Sequence, residues 1–158
     1  MNGKARITNK AGSGSIEVLP SFSATSGQLA SVRAAVDVYS TNRQEAAGLS
    51  CRNQSDSSRY AFLIDAAGDY GVFKNSNGGS NELLSGSVNG ADHYRVQIQC
   101  TGPEQPGPTD TVNLTLKIDS NTFTTSDSSS ALASGGVALE VDGANTADFA
   151  NLSVAAVR

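Results

Sequence analysis

Apolar and polar side chains alternate one for one along much of this chain, and this period of two constrains the fold more than any other feature. In the stretch from Val112 to Ile118, every second residue is apolar and every residue between them is polar. That period is typical of a β-strand with one buried face and one solvated face. Turn-forming residues interrupt the pattern at short intervals, and no helical period is sustained, so the sequence predicts an all-β chain.

Eight segments carry the alternation clearly, and three more carry it weakly. The clear segments are residues 31–39, 47–52, 60–65, 70–74, 94–100, 112–119, 136–141 and 149–157, and the weaker ones are 4–8, 15–18 and 81–85. Residues 65–69 contain a glycine and predict a hairpin connection. Composition predicts loops at 75–80 and 102–109 and, at most, short helical turns at 42–47 and 126–133.

The length and the number of strands narrow the architecture further. A chain of 158 residues is long enough to enclose a full core, and neither a linker nor a repeat divides it, which predicts a single domain over 1–158. Many short antiparallel strands around one core favour a two-sheet antiparallel jelly-roll β-sandwich over a smaller sandwich.

The two cysteines, Cys51 and Cys100, each close the apolar row of a predicted strand. Leu49 lies two residues before Cys51, and Ile98 lies two residues before Cys100, so both thiols are expected to face the core. This placement predicts one intradomain disulfide between neighbouring strands. A disulfide in turn predicts an oxidising location, either extracellular or at a cell surface.

Charge and hydropathy argue against two classes of partner. The net charge is -4, and the eleven basic residues are scattered along the chain, whereas proteins that bind nucleic acid cluster their lysines and arginines. No apolar run approaches the roughly 20 residues that span a bilayer, so direct membrane insertion is not expected.

The order of the segments resembles a known fold family. The residues that carry this likeness are Gly48–Arg52, Tyr60–Asp65, Gly68–Tyr70, Tyr94–Cys100, Val112–Ile118, Ser134–Leu139 and Phe149–Val154. From about residue 31 to the end, the series resembles the concanavalin A-like, laminin-G-like jelly roll. More narrowly, it is similar to extracellular modules of bacterial surface proteins and to the domain of 3-keto-disaccharide hydrolases. The resemblance implies a paired Cys51 and Cys100, and binding of carbohydrate or protein as a class.

Aromatic and polar side chains supply the candidate binding residues. Tyr60 and Tyr70 flank one predicted hairpin and are expected to expose their hydroxyl groups. The outward positions of the strands nearest the cysteines are expected to form a polar row that lines a groove if the sheet is concave. This row contains Arg52, Arg95, Gln97, Gln99, Asn113, Thr115 and Lys117. Any solvated strand face has a similar composition, so that alternative stays open.

Catalytic constellations are weak in this sequence. Glu140-Val141-Asp142 resembles part of the Glu-x-Asp-x-x-Glu pattern of jelly-roll glucanases, but Asn145 stands where the second glutamate would be. We therefore expect Glu140 and Asp142 to be exposed rim residues. His93 is the only histidine, is expected in a solvated loop, and has no Gly-x-Ser-x-Gly partner sequence. The sequence predicts that the protein is not an enzyme.

Metal ligands are similarly sparse. One histidine and two paired cysteines are too few for zinc. Calcium could be held by Asp65, Asp69 or Asp119, but turn-forming aspartates have the same spacing, and we favour that interpretation. No cofactor is expected.

These observations predict a non-catalytic extracellular recognition module. Its expected partner is carbohydrate or a cell-surface component on a concave sheet. The alternative is a structural or protein-interaction module that uses the loops at 75–80 and 102–109 and has no small-ligand site, and a glycoside-cleaving enzyme is the least favoured class. The sequence leaves the oligomeric state open.

Overall fold

A computed structural model describes residues 4–10, 15–18 and 30–157 of the chain. These residues form twelve strands and no helix, so none of them lies in a helix that could cross a membrane. The strands are β1 (Ala5–Asn9), β2 (Ser15–Val18), β3 (Val32–Tyr39), β4 (Ala47–Asn53), β5 (Arg59–Ile64), β6 (Asp69–Ser76), β7 (Gly79–Ser87), β8 (His93–Thr101), β9 (Val112–Ile118), β10 (Asn121–Asp127), β11 (Gly136–Asp142) and β12 (Asn145–Ala156).

The strands form two six-stranded sheets in which every pair is antiparallel. Sheet A has the order β1-β12-β3-β8-β9-β10, and sheet B has the order β2-β11-β4-β5-β6-β7. Apolar side chains from both sheets form one buried cluster, which includes all four inward residues of β9. The predicted two-sheet antiparallel β-sandwich is therefore confirmed.

The predicted Cys51–Cys100 disulfide is present, but its two strands are not neighbours within one sheet. Cys51 lies on β4 of sheet B, and Cys100 lies on β8 of sheet A. The bond therefore crosses the core between the two sheets and does not link neighbours within one sheet. Alternation showed correctly that both sulfurs point inward, but it carries no information on which sheet contains each strand.

Two strand predictions near turns were incomplete. Residues 75–80 are not a loop, because β6 continues to Ser76 and β7 begins at Gly79. Asn77 and Gly78 both have positive φ, of 52° and 75°, so they form the tight turn that an Asn-Gly pair favours. Strand β10 was missed because its alternating residues are threonine, serine and asparagine and provide little hydropathy contrast.

The two short helical turns expected from composition are absent. The side chain of Asn42 accepts hydrogen bonds from the backbone N–H groups of Gln44 and Glu45, which makes an Asx-type turn before β4. The predicted turn at 126–133 begins with the last residues of β10 and continues as a loop. The Asp65–Asp69 hairpin is confirmed, since Asp65 N–H donates to the Asp69 carbonyl and Gly68 has a φ of 97°.

The two sheets differ in how they treat their outer faces. Strands β8 and β9 bury every second residue, as expected for a solvated face. Strand β5 buries all six of its residues, and β11 buries Glu140 and Ala138 as well as the apolar row that faces the core. Several outward positions on the central strands of sheet B therefore hold buried polar or small side chains. The candidate functional site is built on these positions.

Candidate functional site

A cavity of about 470 Å³ lies on the outer side of sheet B. Arg59 and Asp142, which line it, alternate with the core residues Tyr60 and Val141, so their side chains point away from the core. Four connections form its walls: the β3–β4 loop, the β4–β5 loop, the β6–β7 hairpin and the β11–β12 turn. The lining residues are Glu45, Asp56, Ser57, Ser58, Arg59, Asn75, Ser76, Asn77, Gly78, Gly79, Ser80, Asp142 and Gly143. We call this cavity the acidic groove.

The acidic groove is built on a buried ion pair between Arg59 and Glu140. Arg59 Nε lies 3.0 Å from Glu140 Oε2, and Nη2 lies 2.8 Å from Oε1, so the guanidinium faces the carboxylate as a two-pronged fork. Arg59 Nη1 also donates to the carbonyl of Ser57 at 2.9 Å. The side chain of Glu140 is only 1% exposed, so the prediction that it is a rim residue is wrong. Because removing two charges from water is expensive, this pair is an unusual feature for an outer sheet face.

Asp142 lies two residues beyond Glu140 on the same face of β11. Burial raises the pKa of Asp142 to about 7, and the charge of Glu140 and a hydrogen bond with it add to the effect. Oδ1 of Asp142 is buried and accepts no hydrogen bond from the described residues. At neutral pH this carboxyl group is therefore divided between its acid and its ionised form, and one of its oxygens is available to a donor.

The β3–β4 connection brings a third carboxylate, that of Glu45, to the acidic groove, against the β11–β12 turn. Gly143 has a φ of 61°, and a Cβ atom at that position would collide with the carboxylate of Glu45. The glycine therefore allows Glu45 to lie over the turn. Its negative charge acts on Asp142 and contributes to that residue's raised pKa.

The opposite end of the acidic groove adds hydrogen-bond acceptors. Asp56 accepts a hydrogen bond from the N–H of Ser58, and this contact lowers the pKa of Asp56, so the group stays ionised. Oδ1 of Asn75 is buried and has no hydrogen-bond partner among the described residues. With Glu140 beneath it, the acidic groove brings four carboxyl groups and one guanidinium together. It suits a ligand that is rich in hydrogen-bond donors and not negatively charged.

Six of the predicted site residues lie together on the outer face of sheet A. Arg95, Gln97 and Gln99 alternate along β8, and Asn113, Thr115 and Lys117 alternate along β9. The strand register places Gln97 opposite Lys117 and Gln99 opposite Thr115. This part of the predicted row is a real surface, but it lies on the other side of the molecule from the acidic groove.

Arg52 does not belong to that row, contrary to the prediction. It has a φ of 51° and lies where β4 and β11 shift register, so the alternation breaks there. The side chain is fully buried and donates to the carbonyls of Pro103, Leu132 and Ala30. Burial lowers its pKa. Arg52 therefore holds three loop segments together and does not contact a ligand.

The two tyrosines proposed as a contact pair are also buried. The Tyr60 hydroxyl donates to Asp127 Oδ2 at 2.7 Å and accepts from the N–H of Leu132 at 2.9 Å. Tyr70 stacks on Phe123 with ring centroids 4.3 Å apart. Both side chains follow the inward row of their strands, so the alternation itself could have shown that they are core residues.

The aspartates considered for calcium take part in turns. Oδ1 of Asp65 accepts the N–H groups of Ala67 and Asp69, at 2.8 and 3.1 Å. Asp119 has a φ of 53° in the β9–β10 turn, and it accepts the N–H of Arg95. Within the described part of the chain, no three histidine, cysteine or acidic side chains are grouped so that they could hold a metal ion.

His93 begins β8 and is not in a loop. Its ring stacks on Tyr39 with centroids 4.3 Å apart, and Nε2 lies 3.7 Å from Asp37 Oδ1.

The acidic groove itself was missed from the sequence. Glu140 and Asp142 were noticed as a pair on one strand face, but nothing in the sequence placed Arg59 beside them.

Comparison with known proteins supports the fold. No family model matches this chain, and no curated protein matches it. Among solved structures, it is similar to carbohydrate binding module CBM66 of Bacillus subtilis, with a TM-score of 0.65 and 16% identity over 94% of this chain and 98% of that one. Galectin LEC-6 of Caenorhabditis elegans gives a TM-score of 0.57 with 12% identity over 95% of each chain. The PL-14 alginate lyase of Aplysia kurodai gives 0.62 with 10% identity over 98% of this chain and 83% of the lyase. These likenesses show a concanavalin A-like jelly-roll β-sandwich.

Proposed function

We propose that this protein is a non-catalytic carbohydrate-binding module whose ligand occupies the acidic groove. One observation carries the proposal. Two residues that line the cavity, Asp142 and Asn75, each have a buried Oδ1 atom with no hydrogen-bond partner among the described residues. A buried acceptor without a donor costs about 1–3 kcal/mol, and the hydroxyl groups of a sugar supply such donors.

The charge of the acidic groove selects among sugars. Glu45, Asp56 and Asp142 line it, and the positive charge of Arg59 is already matched by Glu140. A uronate or sulfated sugar would place like charges together, so we expect neutral saccharides to bind better there. A volume near 470 Å³ lies within the usual range of small-molecule sites.

The solved structures of similar fold support the same class. A carbohydrate-binding module and a galectin share this architecture over almost their whole length. The disulfide supports an extracellular or cell-surface location for the protein, because such bonds persist mainly in oxidising compartments.

The state of the two carboxyl groups on β11 supports a non-catalytic role. Retaining glycosidases need a nucleophile and an acid about 5 Å apart, both able to reach the sugar. Glu140 is buried and held by both prongs of Arg59, so it is not free to attack an anomeric carbon. Asp142 alone binds a hydroxyl group, and the proposed binding requires no metal.

A panel of neutral oligosaccharides, screened on an array and then titrated by calorimetry, tests the proposal. We expect saturable binding that Asp142→Asn weakens about tenfold, the range expected for a hydrogen bond to a charged group. Glu104→Gln is the matched control, since it removes an exposed acid from the β8–β9 loop, outside the acidic groove.

Three outcomes would count against the proposal. Binding that Asp142→Asn leaves intact would remove the acidic groove as the site. Absence of binding to every sugar tested would favour the structural or protein-interaction module. Release of new reducing ends from a bound oligosaccharide would contradict the non-catalytic role.

A further inference from the structure

The fold collects basic residues that the sequence scatters. Five of the eleven lysines and arginines lie on the outer side of sheet A: Lys4, Arg6, Arg33, Arg95 and Lys117. The strands of sheet A bring only two outward carboxylates to the same side, Asp37 and Asp148. A third, Asp119, lies at its edge in the β9–β10 turn. We call these five residues and the surface between them the basic face.

Strand register shows that the basic face is continuous across β3, β8 and β9. On adjacent strands, Ala35 pairs with Gln97 and Gln97 with Lys117. One step along the same face, Arg33 pairs with Gln99. Paired residues on one face lie about 5 Å apart, so the cations and amides form one surface.

Three of the five cations form no salt bridge with the described residues. Arg6 is held by Asp148, and Arg95 by Asp37. Arg33 donates instead to the neutral side chain of Gln99, and Lys4 lies 3.5 Å above the ring of Tyr39. Lys117 forms no ion pair with the described residues. The basic face therefore keeps a net positive charge on a chain whose net charge is -4.

We propose that the basic face is a second binding surface, for an anionic polysaccharide. Its charge is opposite to that of the acidic groove, so the two surfaces suit different ligands. Protein interfaces are centred on aromatic or aliphatic anchors, whereas the ring of Tyr39 on the basic face is already stacked on His93 and covered by Lys4. The positions between the cations of β8 and β9 are Gln97, Gln99 and Thr115, whose amide and hydroxyl groups match the hydroxyl groups of a sugar chain.

Polygalacturonate and its methyl ester are the matched probes, because they share a backbone and differ in charge. In the Asp142→Asn variant, whose acidic groove is weakened, we expect binding of polygalacturonate in affinity electrophoresis and no binding of the ester. Binding should weaken as sodium chloride rises, because exposed charges are screened. Lys117→Gln and Arg33→Gln should each weaken binding about two- to fivefold, and the double variant about tenfold. Arg43→Gln, which removes an exposed cation from the β3–β4 connection, outside the basic face, is the matched control.

Three results would overturn this proposal. The first is equal binding of polygalacturonate and its ester. The second is unchanged binding by the double variant. The third is equal or tighter binding of polyglutamate, which would identify an acidic polypeptide as the better partner. Asp142→Asn should leave polygalacturonate binding unchanged, so failure at the acidic groove and failure at the basic face can be told apart.

Discussion

Two arginine–carboxylate pairs with the same geometry lie on opposite faces of this sandwich. On sheet B, Arg59 contacts Glu140 through Nε and Nη2 at 3.0 and 2.8 Å. On sheet A, Arg6 contacts Asp148 through the same two nitrogens at 2.7 and 3.0 Å. The side chains of the first pair are 10% and 1% exposed, and those of the second are 71% and 20% exposed. The two pairs therefore have similar contact distances and differ mainly in how far their side chains are exposed to water.

The difference in burial determines how strongly each ion pair affects the stability of the molecule. Water and salt screen the Arg6–Asp148 pair, so it contributes little to folding even with ideal geometry. The Arg59–Glu140 pair has lost its hydration, so each charge depends on the other. A buried pair of this kind is seldom the most stable choice for a sheet face, and its presence beside a cavity fits a role in binding better than a role in folding.

The largest expected effect comes from removing one member of the buried pair. Glu140→Ala leaves the Arg59 guanidinium buried without its carboxylate, and we expect the free energy of unfolding to fall by about 3–5 kcal/mol. Urea unfolding followed by circular dichroism measures this change. A loss no larger than that of an exposed pair would show that Arg59 escapes to water and that the two faces do not differ.

Replacing both members together separates folding from binding. The double variant Arg59→Met with Glu140→Leu removes both charges and fills the space with apolar side chains of similar size. We expect it to recover most of the stability lost in Glu140→Ala, to within about 1–2 kcal/mol of the wild type, and to lose binding to neutral oligosaccharides. Stability as low as that of the single variant would instead make the pair a requirement of the fold.

The same contrast explains how much of this protein could be predicted from its sequence. On β8 and β9, one face is buried and the other is wet, so alternation alone placed Val96, Ile98, Gln97 and Lys117 correctly. On β5 and β11, both faces are buried, and alternation cannot distinguish a buried outward Glu140 from an exposed one. A hydropathy pattern shows which face of a strand is buried only when the other face is exposed. Where both faces are buried, the pattern no longer distinguishes them.

The site depended on information that no local pattern contains. The contact between Arg59 and Glu140 joins residues 81 positions apart, and the positive φ of Arg52 reverses a side chain that alternation placed outward. The basic face is a similar case, because only strand order and register place Arg33 of β3 and Lys117 of β9 on the same face, on either side of β8. Residue type and period predict the layers of the sandwich, whereas register and backbone irregularities decide which charged groups meet.

The pH dependence of stability tests the burial of Asp142 on sheet B, and its expected effect is smaller. Burial raises the pKa of Asp142 to about 7, above that of an aspartate in the unfolded chain, so the folded state holds this proton more tightly. The contribution of Asp142 to stability is therefore largest at acidic pH and is lost as the pH rises from about 4 to about 7. Asp142→Asn mimics the protonated form, and we expect it to be more stable than the wild type by about 1–2 kcal/mol at pH 8 and equal to it near pH 4. Urea unfolding at both pH values measures this, and an equal difference at the two would contradict the raised pKa.

The smallest expected effect comes from the exposed pair on sheet A. Asp148→Ala removes the partner of Arg6, but the guanidinium stays in water and loses little. We expect the urea midpoint to stay close to that of the wild type and to respond to added salt in the same way. The same substitution removes one of the two outward carboxylates of the strands of sheet A, so it should tighten binding of polygalacturonate, by about twofold. A large loss of stability in Asp148→Ala would contradict the comparison. It would show that contact geometry, and not burial, determines how much each ion pair contributes to the free energy of unfolding.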